Sequence, residues 1–123
     1  MKIQQSAEDY LESILMLSKT NPVVRSIDVA NDLGFSKPSV SVAMKNLREG
    51  GYISMSKEGY ITLLEPGLQI AEKIYERHTT LTKLFSALGV PEKLAAEDAC
   101  RVEHDLSPES FAALKSLAEM LTQ

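Results

Sequence analysis

What this chain has little of narrows its function first. Its 123 residues include one cysteine, Cys100, so no disulfide can close within it; a single thiol suits a reducing compartment. No apolar run approaches the roughly 20 residues that span a bilayer, and the opening "MKIQQSAEDYLES" carries no apolar signal segment. The expectation is a cytoplasmic protein with no membrane partner. There is no internal repeat and no low-complexity tract. Positive charge is not in excess either: 13 Lys and Arg face 17 Asp and Glu, a formal net charge of −4. Phosphate contacts need Lys and Arg, so a nucleic-acid role requires those residues to be concentrated locally. Histidine is scarce, at two residues, His78 and His104. The remainder is ordinary for a globular protein, 44% hydrophobic and 24% charged. The length fits one domain or two small ones sharing a core.

Helical periodicity dominates the pattern. Ala7, Leu11, Ile14 and Leu15 predict a first helix over Ser6–Ser18, with Ser6 as N-cap and Asp9 near the first-turn N–H groups. "KTNPVVR" breaks it. "SIDVANDLG" predicts a short helix capped by Ser26 and stopped by Gly34; "FSKPSVSVAMKNLREGG" predicts the next, capped by Ser36, with Pro38 in its first turn and Gly50-Gly51 at its end. Two β-prone arms around "SKEG" predict a hairpin, with Gly59 at the turn position that needs positive φ. After "EPG" a long helix is expected over Leu68–Leu88, with Ala71, Ile74, His78, Leu81, Phe85 and Leu88 in a heptad-like stripe. Pro91 opens another helix to about His104. Ser107-Pro108 opens the last, with Phe111, Leu114, Leu117 and Leu121 on its apolar side.

Two short helices joined by "GFS" and followed by a hairpin are the order of a winged helix-turn-helix. The second helix of such a pair enters a major groove. Its groove-facing side would carry Ser36, Lys37, Pro38, Ser39, Val42, Lys45 and Asn46. Ser and Asn bond base edges or phosphates, Lys meets phosphate, and Val42 suits a thymine methyl. Arg25, Lys37, Lys45, Arg48 and Lys57 all fall in this region, which supplies the local basic charge that the acidic total withholds. A protein-binding winged helix is the alternative, since fold alone does not give function; a Ser- and Lys-rich face with few apolar residues favours DNA.

"CRVEHDLS" holds the second signal. On a helix, Cys100, Glu103 and His104 stand three and four residues apart and point the same way. Thiolate, carboxylate and imidazole are common metal ligands. His78 interrupts an apolar stripe, and Asp9 and Glu12 share a face of the first helix. Singly, each has a plainer explanation: a buried thiol beside a capping histidine, a core histidine bonded to a polar partner, and two solvated acids. Together they form a donor set if the first, fourth and fifth helices meet.

"AEDYLESI", "SKPSVSVAMKNL", "YERHTTLTKLF" and "DACRVEHDLS" resemble, in order and over nearly the whole chain, the metal-dependent repressors of the diphtheria toxin repressor and manganese transport regulator family. The resemblance implies a mainly α fold: an N-terminal winged helix-turn-helix with a small β-hairpin wing over residues 1–65, then a helical dimerisation and metal-sensing domain over 66–123. It implies a homodimer that binds divalent metal and then palindromic operator DNA, repressing metal-uptake or metal-homeostasis genes, with no enzymatic activity and no small-molecule substrate. By position, it assigns Asp9, Glu12, His78, Cys100, Glu103 and His104 as ligands. Departures from the family are informative. The manganese branch has Glu where this chain has Cys100; the iron branch has Cys there but Met at Asp9. Thr82 and Ala96 replace the Glu and His of the iron branch's second site, so that ancillary site is expected to be absent. Carboxylates suit Mn²⁺, and a thiolate shifts preference toward Fe²⁺, Co²⁺ or Zn²⁺. Fe²⁺ or Mn²⁺ is expected, with Zn²⁺ or Co²⁺ open, as one or two ions per subunit. Two rival readings stand beside this one: a metal-independent winged-helix repressor and a small metallohydrolase.

Overall fold

The computed structural model describes residues 5–122, which form six α-helices and one antiparallel hairpin. The order is α1 (Gln5–Thr20), α2 (Ser26–Leu33), α3 (Lys37–Glu49), β1 (Ile53–Met55), β2 (Ile61–Leu63), α4 (Glu65–Ala87), α5 (Glu92–Val102) and α6 (Pro108–Leu121). The chain divides into two compact units, Met1–Glu72 and Lys73–Gln123, the division falling within α4.

The first unit is built on apolar faces at helical and strand spacing. Leu11 and Ile14 of α1, Val29 and Ala30 of α2, and Val40, Met44 and Leu47 of α3 form one buried cluster with Ile53, Ile61 and Ala71. Withdrawing each large side chain from water contributes about 1.5–3 kcal/mol. Gly34 (φ 72°) makes the left-handed turn that lets α3 leave at an angle to α2, and its N–H reaches the Ala30 carbonyl at 2.9 Å. The hairpin pairs Ile53 with Leu63, Ser54 with Thr62 and Met55 with Ile61. Ile53 and Ile61 are buried, while Ser54 and Thr62 face out. Gly59 takes φ 83° in the turn, as the "SKEG" reading requires. An Ile61 N–H to Val24 carbonyl bond of 2.7 Å ties the wing to the loop before α2.

Several boundaries differ from the sequence expectation, each for a local reason. Ser6 lies inside α1 rather than capping it, and the acid in the first turn is Glu8, not Asp9. Ser26 is the first residue of α2; the cap is Arg25, whose backbone N–H is taken by the Asp28 carboxylate at 2.9 Å. Ser36 does cap α3, accepting from the Ser39 N–H at 3.3 Å. "EPG" is not a break but the first turn of α4. Pro66 fits there because first-turn N–H groups have no helical partner. Gly67 fits because a Cβ would collide with the Tyr52 carbonyl and press on Leu11.

In the second unit, α4 closes at Gly89 (φ 97°), and α6 begins at Ser107, whose hydroxyl accepts from the Ser110 N–H at 3.1 Å. The buried stripe of α4 is as expected at Ala71, Ile74 and Leu81 and departs from the expectation elsewhere. Ala71, Ile74, Arg77, Leu81 and Leu84 are buried, His78 stands half-buried beside them, and Leu88 is 63% exposed. Arg77 and Leu84 thus take core places expected of their neighbours His78 and Phe85, which are half-buried. On α6, Phe111 is buried as expected, whereas Leu117 and Leu121 are exposed.

Candidate functional site

The outward face of α3 presents polar groups. Ser36, Lys37, Pro38, Ser39, Val42, Lys45 and Asn46 are all exposed, opposite the buried Val40, Met44 and Leu47. Val42, 60% exposed in a helix that buries its other valine, is the apolar residue of that face. The Ser36 hydroxyl is occupied locally: it donates to the Ser39 hydroxyl at 2.8 Å while accepting from that residue's N–H. Ser36 therefore shapes the start of α3 before it contacts anything else. Lys57 is exposed in the wing turn. Next to it, hydrogen bonds from its own backbone and from Ser56 hold the Glu58 carboxyl below its usual range.

Two residues of this face were missed. Ser41 is exposed on α3 between the positions named from sequence; helical phase alone could have found it. Tyr60 could not have been found that way. Its hydroxyl accepts from Arg25 Nη2 at 3.2 Å, and the guanidinium carbon lies 4.9 Å from the ring centroid. Residues 35 positions apart in sequence thus hold one cation between the wing and the start of α2.

The expected ligands divide between the two units. On α1, Asp9 and Glu12 are three residues apart and half-buried. On α5, Cys100 is exposed, two residues before the helix ends at Val102. Glu103 is the C-cap of α5 and His104 lies in the turn beyond, so the helix stops short of the expected end at His104. The two histidines still converge on Glu103. His78 Nδ1 is 2.9 Å from Glu103 Oε2, and His104 Nε2 is 3.5 Å from Oε1. The Glu103 side chain is fully buried and its Oε1 accepts no hydrogen bond from the described residues. Buried carboxylate oxygens normally use their lone pairs. A carboxylate half-satisfied between two imidazoles therefore fits a cation that would take the remaining electron pairs, and hard carboxylate with borderline imidazole suits a divalent first-row metal. Thr82 donates its hydroxyl to the His78 carbonyl at 2.7 Å, a helical back-bond.

Comparison with known proteins places this arrangement. Residues 2–61 match the iron-dependent repressor N-terminal DNA-binding domain, and residues 64–123 match the iron-dependent repressor metal-binding and dimerisation domain. The chain belongs to the iron-dependent repressor family. Among relatives, it is 38% identical over 120 residues to an HTH-type transcriptional regulator of Methanocaldococcus jannaschii, covering 95% of each chain. It is 32% identical over 108 residues to the transcriptional regulator MntR of Escherichia coli O157:H7, covering 88% of this chain and 70% of that one. A solved manganese-dependent transcriptional repressor in complex with manganese shares the fold, with a TM-score of 0.84 and 24% identity; the match covers 92% of this chain and 52% of that one, so this chain spans about half its length.

Family membership decides between the readings left open by the residues. The matched family and relatives are transcriptional regulators, not enzymes. The protein is a metal-dependent, DNA-binding transcriptional repressor whose partners are DNA and a second copy of itself. Neither the metallohydrolase nor the metal-independent repressor is supported. Among the described residues, no helix is long and apolar enough to cross a membrane.

Proposed function

We propose that this repressor binds Mn²⁺ or Fe²⁺, as one or two ions per subunit, and in that state binds a palindromic operator to control metal-uptake or metal-homeostasis genes in the cytoplasm. Residues 1–65 act as the DNA reader and 66–123 as the dimerisation and metal-sensing part. The ligand set is Asp9, Glu12, His78, Cys100, Glu103 and His104. The observation that carries this reading is the buried Glu103 carboxylate, approached by both histidines and with no hydrogen bond to its Oε1 among the described residues. Zn²⁺ and Co²⁺ are competitors, because a Cys100 thiolate is softer than the carboxylates around it. The DNA face comprises Arg25, Ser36, Lys37, Pro38, Ser39, Val42, Lys45, Asn46 and Lys57.

A bound divalent cation supplies positive charge to a donor set that otherwise gathers like-charged carboxylates and a thiolate. Without it, those groups repel one another or take up protons. The proposed ligands come from both the reader and the sensing part, so metal occupancy and operator affinity are thermodynamically linked. Operator DNA must then raise metal affinity by the factor with which metal raises DNA affinity.

The test is an anaerobic titration of operator affinity with Mn²⁺, Fe²⁺, Co²⁺ and Zn²⁺, using a palindrome selected from random DNA. The parent should gain affinity with metal and lose it to chelator. Glu103→Gln should weaken Mn²⁺ binding by more than about 100-fold, beyond the loss typical of a residue that only supports a ligand. Cys100→Glu should raise the ratio of Mn²⁺ to Zn²⁺ affinity. Equal operator affinity with and without chelator would overturn the proposal.

A further inference from the structure

Arg77 is the least expected side chain in the second unit. It occupies the core stripe of α4 between Ile74 and Leu81 and is only 4% exposed. Its guanidinium is charged at any physiological pH, yet no carboxylate of the described residues pairs with it. Instead Nη1 donates to two backbone carbonyls, Glu103 at 3.1 Å and Leu106 at 2.7 Å. The guanidinium carbon lies 5.2 Å from the Phe111 ring centroid, and Nε has no hydrogen-bond partner among the described residues. A buried cation with one idle N–H and no counter-charge is a costly way to fill a core position.

Its bonds go to the residue that matters most. α5 ends at Val102, so the Glu103 carbonyl lies among the last carbonyls of a helix, which have no acceptor role inside it. A cation at a helix C-terminus is favoured by those carbonyls and by the helix dipole. Glu103 is thus held at both ends: His78 and His104 approach its carboxylate, and Arg77 grips its backbone.

We propose that Arg77 is a positioning residue for the metal site: by bridging the Glu103 and Leu106 carbonyls from one nitrogen, it fixes the backbone at the end of α5 and so aims the Glu103 carboxylate. The proposal rests on the reading of Glu103 as a ligand. A metal ligand is only as well placed as the groups that orient it, and loss of such a supporting group typically costs 10–100-fold in metal affinity.

The test uses the full chain, stripped of metal, with Mn²⁺ as the probe. Mn²⁺ affinity is measured by competition with a chromophoric chelator for the parent, Arg77→Met, Arg77→Lys, Glu103→Gln and the Arg77→Met/Glu103→Gln double variant. Thermal melting of each metal-free protein is recorded alongside. Arg77→Met should weaken Mn²⁺ binding about 10–100-fold. Arg77→Lys, which keeps a donor and the charge, should recover part of that loss. In the Glu103→Gln background, Arg77→Met should weaken binding by less than about twofold further, because residues acting through one another are not additive. A merely structural arginine predicts the opposite. Arg77→Met would then lower the melting temperature with Mn²⁺ affinity intact, or would cost the same in both backgrounds, and either result overturns the proposal. If Arg77→Met does not fold, Arg77→Lys with and without Glu103→Gln carries the same comparison. If Glu103→Gln binds Mn²⁺ as the parent does, the ligand reading fails first, and the role of Arg77 falls with it.

Discussion

The two units differ in the charge they bury and in how their exposed apolar side chains are grouped. The first closes on itself: apolar side chains from three helices and the hairpin meet in one cluster, and the polar groups of α3 and the wing turn outward. The second hides charge and shows oil. Arg77 and Glu103 are buried, while Leu88, Leu94, Leu117, Met120 and Leu121 are exposed. Leu117, Met120 and Leu121 stand at i, i+3 and i+4, one face of α6. The first unit also exposes Met16, Val23, Ile27, Phe35, Val42 and Leu64, but no two of these share a helix. The α6 stripe has the pattern of an apolar face awaiting a partner, in a domain whose family is defined by metal binding and dimerisation. If Glu103 is a metal ligand, the interior charge serves that site, and dimerisation through α6 would cover the apolar stripe.

The largest effect should come from attacking that stripe. Leu117→Glu puts a carboxylate at the first position of the α6 stripe, where Leu117 is 42% exposed in one copy, so folding should not be disturbed. Burying an unpaired charge between two copies costs several kcal/mol (roughly 100-fold or more in dimer affinity). Sedimentation should show a folded monomer at concentrations where the parent is a dimer. An unchanged dimer would place the interface on another face.

A smaller effect should follow from disturbing the first unit's closure. Gly67→Ala would push a methyl group into the Tyr52 carbonyl at the start of α4. Overpacking of this kind costs about 1–3 kcal/mol. Thermal melting should fall, while Mn²⁺ affinity of the folded protein stays near that of the parent. A melting temperature equal to the parent's would mean that the contact relaxes without cost.

The same contrast explains what could be read from the sequence. The first unit obeys pattern rules, so its helices, the left-handed Gly34 and the Gly59 turn were all legible. Its misses were local: Ser26 in place of Arg25 as the cap, and "EPG" read as a break when Gly67 was needed for close packing. In the second unit, the sequence offered the residue types of a metal site, and His78 and His104 do meet at Glu103. The route by which they are held was not legible. Hydrophobic periodicity has no means of anticipating an arginine in the core, and assigned its place to His78. Arg77 reaches carbonyls 26 and 29 residues away, and such pairings leave no spacing signal.

The smallest predicted effect tests whether the first unit is a finished DNA reader or one that its wing must complete. Lys37→Ala and Lys45→Ala remove charges from the exposed face of α3. If each contacts phosphate, each should reduce the salt slope of operator binding by about 0.9 and weaken all sequences alike. Tyr60 carries no charge at neutral pH, so it cannot act in that way. It acts on Arg25, through a 3.2 Å hydrogen bond and a ring 4.9 Å away. Tyr60→Phe removes the hydroxyl and keeps the ring; Tyr60→Ala removes both. A single exposed hydrogen bond is worth at most about 0.5–1.5 kcal/mol, so Tyr60→Phe should weaken operator binding only a few-fold with an unchanged salt slope. Tyr60→Ala should weaken it further and, by releasing Arg25 from its place at the start of α2, should also lower the slope toward that of Arg25→Ala. If both Tyr60 variants bind as the parent does and with its slope, the wing does not orient Arg25, and the reader's face ends at α3.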